Sequence, residues 1–283
     1  MALTCDLTVA AQRRDDLDAY MTRHVLGPQG FCCSSGTACR ASATAQKAPI
    51  DFAEGQLSHL GKYYELAEGG VMLRILVIAM ETGRLDSAVT LAKRREQVLG
   101  SAALPPRSRN PHMIGVTHAL RTLHGREMGD DVHGERLDFE QSCNEVHVFD
   151  AYAMANVRLC TSVKEKSTQS RPTRVMTTNC VRHMRETIRI LQPTVCVVQG
   201  TPIPKALAPI LTRRVELSTH LADVTIGDVD TLMAEFSHPA AHGDLNWGRW
   251  TNMPYLDRVV IPTLQQARRR LGLPASRGGP SSG

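Results

Sequence analysis

The apolar pattern of this chain predicts an α/β fold: a three-layer α/β/α sandwich around a central, mainly parallel, four-stranded sheet. Three observations carry that reading. The strand-like runs are almost wholly apolar, as strands buried on both faces are. Segments of helical periodicity alternate with them. And the apolar runs break abruptly into polar residues, which in a parallel sheet places chemistry at the carboxyl ends of the strands, where ligands gather.

In chain order, residues 1–30 read as a polar, helical lead-in, and FCCSSGTACRASATAQKAP after it as a loop. RILVIA, residues 74–79, is the first strand, and METG follows it directly. SAVTLAKRREQVLG is a helix closed by Gly100, since glycine commonly ends helices. LPPRSRNP, with three prolines, is a loop, and THALRTLHG a short helix. VHVFDAY, from Val146, is a second strand. Residues 161–172 are a polar loop, and TTNCVRHMRETIRIL an amphipathic helix. TVCVVQG is a third strand, LMAEFSH a fourth, and TLQQARRRLGL the last helix. The plan is a lead-in over 1–30, one α/β domain over 31–270 and a disordered tail over 271–283.

Composition narrows the function classes. At 283 residues and 42% hydrophobic, the chain can bury a sizeable core. A net charge of +5 is compatible with nucleic acid without requiring it. No apolar run approaches the roughly 20 residues of a membrane span, and the N-terminus turns polar too early for a secretory signal. A cytoplasmic protein with no membrane partner is expected. The eight cysteines would then lie in a reducing compartment, which favours metal or core roles over disulfides.

Three strand ends carry useful groups: Glu81 after the first, Asn156 after the second, His238 after the fourth. Taken singly, each has an ordinary reading. Glu81 could cap a turn, Asn156 could begin one, and His238 could pack before the turn-forming Pro239.

Their order resembles the uracil-DNA glycosylase superfamily, in particular its iron–sulfur branch, families four and five. Ala79-Met80-Glu81-Thr82-Gly83 matches a strand-end motif of the form Gly-Glu-Ala-Pro-Gly, with the carboxylate moved to third place. NPHMIG resembles the Pro-Phe-Val-Gly loop, with His112 or Met113 where the stacking Phe would be. ANVRLC supplies Asn156 and Cys160; CVRHMRETIRILQPTVCVVQG, Cys180 to Gly200, fits the cysteine–helix–strand segment; FSHPAAHG supplies His238-Pro239-Ala240. The likeness spans about residues 30–265. The usual close N-terminal cysteine pair is stretched here to Cys33 and Cys39, with Cys32 a neighbouring choice.

The resemblance implies a DNA glycosylase acting as a monomer on a base flipped out of DNA. Glu81 would position water and face the cationic sugar, His238 would donate to the departing base, and Asn156, with Met113 and His112, would hold it. His242, Trp247 and Arg249 would form a wedge in the minor groove, with Trp250 a core anchor. Cys33, Cys39, Cys160 and Cys180 would ligate a [4Fe–4S] cluster, zinc being the rival occupant. Cys143 and Cys196 read as packing residues. Uracil is the family's usual target, and the altered first motif allows another or bulkier pyrimidine, including modified phage bases. The alternative is a non-catalytic, cluster-bearing protein that binds or senses DNA. A nucleotide-binding doubly wound domain lacks a Gly-rich loop after the first strand.

Overall fold

A computed structural model describes residues 2–83, 85–129, 131–140, 145–167 and 170–276. It is a mixed α/β structure whose main sheet has seven strands, not four. In chain order these are β1 (His59–Leu60), β2 (Ile75–Ala79), β3 (Ala153–Asn156), β4 (Val195–Gln199), β5 (Leu211–Ser218), β6 (Leu221–Ile226) and β7 (Val229–Phe236). They lie side by side as β5-β6-β7-β4-β2-β3-β1. The pairs β3–β2, β2–β4 and β4–β7 are parallel, and β5–β6, β6–β7 and β3–β1 antiparallel.

The sheet is wider than expected because the segment before β7 is a hairpin. β6 and β7 meet through Gly227-Asp228, with Gly227 at φ 64°, a left-handed conformation cheap only for glycine. β5 is charged and exposed along most of its length, which conceals it as a strand and protects it as an edge.

Helices lie at both faces. They are α1 (Leu7–His24), α2 (Gly36–Thr44), α3 (Leu91–Ala102), α4 (Pro111–Leu123), α5 (Arg174–Leu191), α6 (Ile203–Leu207) and α7 (Ile261–Arg270). Alternate side chains of β2 enter different cores, as the two-residue period of a strand requires. Ile75 and Val77 join Val116 and Leu120 of α4 and Leu264 of α7. Leu76 and Ile78 join Leu17 and Met21 of α1 and Met184 and Ile188 of α5.

Local readings needed correction where polar sequence hid pairing. The lead-in is helical, capped by Asp6, which accepts from the amides of Thr8 and Val9 at 3.0 Å, but Leu3–Cys5 before it pairs with Leu66–Glu68. The loop after residue 31 contains α2. The loop expected over 161–172 opens with Thr161–Lys164, paired antiparallel with Ile50–Ala53. The second strand joins the sheet later than expected, at Ala153: Val146–His147 pairs instead with Arg136–Leu137, and Val148–Asp150 is a 3₁₀ turn. The helix expected from Thr117 starts at Pro111, capped by Asn110, whose side chain accepts from the Met113 amide at 3.0 Å. Cys143 and residues 277–283 of the expected tail lie outside the described residues. Among the described residues no helix is long and apolar enough to cross a membrane.

Candidate active site

Sheet register brings the three strand ends to one edge. Ala79 of β2 pairs with Asn156 of β3, and Gln199 of β4 with Phe236 of β7, two residues before His238. The ladder runs on past β3. Val157 donates to the Ala79 carbonyl and Arg158 to the Met80 carbonyl, both at 2.9 Å. Those bonds set Arg158 beside Glu81.

A cavity of 660 Å³ opens there. Glu81, His238, Asn156, His112 and Met113 all line it, although 157 positions separate Glu81 from His238 in the sequence. The size lies within the roughly 300–1,000 Å³ of small-ligand sites. Among the cavity residues not anticipated from sequence are Arg158, and Arg94 and Gln97 of α3.

Glu81 has a nearly buried side chain, 5% exposed, and its Oε2 lies 3.1 Å from Arg158 Nε. The approach is off-axis, so the contact is an ion pair without a formed hydrogen bond, and neither carboxylate oxygen has another partner among the described residues. Burial pushes the Glu81 carboxyl up to about 7, outweighing the downward pull of the Arg158 guanidinium. Burial also lowers Arg158, with Glu81 opposing it. The next residue, Thr82, bonds through its hydroxyl to the Gln56 side chain, and Arg94 donates to the same Gln56 oxygen at 3.0 Å. The turn after β2 is therefore braced from α3.

His238 stands at the mouth of the cavity. Its Nδ1 faces the Ala240 amide at 3.1 Å. An amide can only donate, so Nδ1 accepts and a neutral ring carries its proton on Nε2. Desolvation lowers its pKa and keeps the ring neutral. His112 lies nearly parallel to it, ring centroids 6.4 Å apart at 24°, with its Nε2 3.2 Å from Met154 Sδ. Burial, then the nearby His238, brings His112 down to about 4. Asn156 is buried, and its side-chain amide makes no hydrogen bond among the described residues.

The turn that carries His238 is locked by close packing. A Cβ on Gly115 of α4 would lie 2.6 Å from Pro239 Cγ, and one on Gly248 would lie 2.4 Å from the Pro111 carbonyl oxygen. Trp247 completes the lock. It is fully buried, donates from Nε1 to the Ser237 carbonyl at 2.8 Å and meets Phe236 edge-on. Trp247 therefore presents no face to DNA, and its assignment to the wedge is corrected to a core anchor. Trp250, read as the anchor, is only half-buried, edge-on to His118. His242 and Arg249 are exposed on either side of Trp247 and do not line the cavity.

A second support lies behind α4. Arg109 donates to both oxygens of Glu135, at 2.9 and 2.7 Å, and Glu135 also accepts from His147 at 2.7 Å. Arg109 and Glu135 side chains are wholly buried, so both charges are satisfied internally. Arg109 immediately precedes Asn110, Pro111 and His112 of the cavity wall.

The cysteines form a separate group on the α5 side. Cys39, Cys160 and Cys180 are buried and Cys33 is half-buried. Burial, then the neighbouring thiols Cys180, Cys39 and Cys33, raise Cys160; burial lifts Cys180 to about 11, with Cys39 and Cys33 adding to the rise. The four therefore lie within electrostatic reach of one another. Backbone amides of Gly55 and Leu159 approach the sulfurs of Cys160 and Cys180, and Asn179 Nδ2 lies 3.5 Å from Cys39 Sγ. Cys32 takes no part: its thiol faces the Thr22 and Arg23 carbonyls at 3.6 and 3.8 Å. Among the described residues no three His, Cys, Asp or Glu side chains are grouped to hold a single metal ion. Cys196 is fully buried beside Thr231, a packing position.

Comparison with models of known protein families and with curated proteins gives no match.

Proposed function

We propose that this chain is a monofunctional DNA glycosylase, hydrolysing the N-glycosidic bond of uracil or a modified pyrimidine flipped out of DNA. The observation that carries the reading is the convergence of Glu81, His238, Asn156 and His112 on one cavity at the carboxyl edge of the sheet. The reading takes the fold as a three-layer α/β/α sandwich, working as a cytoplasmic monomer.

Cleavage passes through an oxocarbenium-like sugar and releases a base bearing negative charge. Glu81 as carboxylate orients water and stabilises the sugar cation, and Arg158 fixes its position. His238 offers a neutral Nε2–H to a carbonyl oxygen of the leaving base, as an oxyanion hole does. The unengaged amide of Asn156 presents a donor and an acceptor to the base edge. His112 supplies the flat wall where a stacking Phe would be. Replacing His238 by Ala should slow base release about 10²-fold, the usual cost of one such donor. Single-turnover kinetics at saturating enzyme would read it.

Cys33, Cys39, Cys160 and Cys180 are the residues that would hold a [4Fe–4S] cluster. Four thiols from three segments, with amides aimed at sulfur, suit that group. Zinc, which four thiolates also suit, is the rival occupant. When bound, the cluster would tie α2 and the segment after β3 to α5. We assign it no part in the hydrolysis.

His242 and Arg249 remain the wedge. Flipping a base out of a duplex costs a few kcal/mol that a wedge offsets. Hence His242→Ala or Arg249→Ala should slow release from paired DNA several-fold more than from single strands. Equal losses on both would place the wedge elsewhere.

The test of the function is a panel of oligonucleotides carrying uracil, hypoxanthine or modified cytosines, incubated with the protein and then treated with alkali. Strand breaks at the modified base only after alkali are expected. Binding without release on every substrate would support a cluster-bearing DNA-binding protein instead.

A further inference from the structure

A second cavity, of 380 Å³, lies between the last turn of α1 and the middle of α5, with Ser34 at its rim. The proposed hydrolysis makes no use of it. Arg23 and His24 enter it from α1, and Arg182 and Arg185 from α5. All three arginines are exposed. Arg182 reaches across to the Ser34 hydroxyl at 2.9 Å and the Ser35 hydroxyl at 3.3 Å, which fixes the rim. The side chains of Arg23 and Arg185 have no ion pair or hydrogen bond among the described residues. The acid on the wall, Glu186, is already held by Arg189 at 2.5 Å.

Basic residues in the last turn of a helix ordinarily complement its dipole, which accounts for Arg23 and His24. It does not account for the mid-helix Arg182 and Arg185, which face those cations across the cavity. Arg182 is bonded to neutral groups, among them the Ser34 and Ser35 hydroxyls and, at 3.9 Å, the Cys33 sulfur, and Arg185 to none among the described residues. The negative end of α1 amounts to about half a charge, against three guanidiniums. Converging like charges repel, and a bound anion relieves the repulsion. Guanidinium forks match phosphate oxygens two at a time.

We infer that this cavity binds phosphoryl groups, with Arg23, Arg182 and Arg185 as the donors. Two sources share that chemistry: the backbone of a nucleic-acid strand, and a free polyphosphate. The first rests on the glycosylase reading, as a contact outside the base cavity; the second does not.

The experiment uses the full chain and the double substitution of Arg23→Ala with Arg185→Ala. Both positions are exposed, and an unchanged melting curve confirms the fold. Affinity for an undamaged duplex is measured across a salt series, and binding of inorganic pyrophosphate by calorimetry. If the strand is the ligand, the slope of log affinity against log salt shrinks by about 2, one per lost phosphate contact. Base release at saturating DNA stays unchanged. If a free polyphosphate is the ligand, wild-type protein binds pyrophosphate, the variant does not, and the DNA slope is the same for both. Equal slopes together with equal, or equally absent, pyrophosphate binding overturn the site. Failure of the functional reading would look different: wild-type protein would release no base from any substrate, and the pyrophosphate arm would still decide the cavity.

Discussion

Glu81→Gln should lower base release by about 10²-fold or more, with DNA affinity nearly unchanged. The substitution keeps the shape of the side chain and removes its charge. Loss of one positioned acid–base or electrostatic group costs on this scale, whereas affinity rests mainly on phosphate contacts made elsewhere. The pH profile gives an independent check. The working form is the carboxylate, and burial lifts its pKa to about 7. Below that value the group takes up a proton, so wild-type release should fall about tenfold per pH unit. Above it, release should level off. In Glu81→Gln the limb near 7 should disappear, leaving a low, flat rate. Near wild-type excision by the glutamine variant would sink the assignment, and Asp86, five residues on and exposed, would be the next candidate base.

What sequence alone disclosed, and what it hid, follows from how each residue is positioned. Glu81, Asn156 and His238 were legible because each ends an apolar run, and parallel register aligns such ends at one edge. Arg158 was not, since it meets Glu81 only through two backbone bonds that extend the ladder beyond β3. Arg94 and Gln97 belong to a run of polar residues on α3 that in sequence looks like a solvated helix face, whereas Arg94 lies on the buried face with Leu91 and Val98. Trp247 misled for the opposite reason. The family resemblance implies a minor-groove wedge for its segment, but Gly115 and Gly248 let the backbone close around it. The hairpin of β6 and β7 did leave a signal, IGDV, an apolar pair around a two-residue Gly-Asp turn.

Cys160→Ala should abolish the cluster and with it much of the stability of the α5 side. Wild-type protein purified without air should be brown and absorb near ~400 nm, as thiolate-bound iron–sulfur proteins do. The variant should be colourless and free of iron. The cysteine group joins three parts: α2, the strand pair Thr161–Lys164 with Ile50–Ala53, and α5. A small apolar cluster, with Ala43 and Met176, packs between them, and the Ser42 and Thr173 hydroxyls meet at 2.6 Å. Ligand binding is folding energy in such a place, so the loss should reach several kcal/mol. Proteolysis should then cut first around residues 32–44. Two further variants separate the cluster from a general packing effect. Cys33 shares the field of Cys39, Cys160 and Cys180, whereas the Cys32 thiol faces backbone carbonyls of α1. Cys33→Ser should therefore lose colour and iron, and Cys32→Ser should keep both. Colourless wild-type protein carrying one zinc per chain would replace the cluster with a single ion. That outcome would require the four thiols to close up around it, and would leave the roles of Glu81 and His238 as they stand.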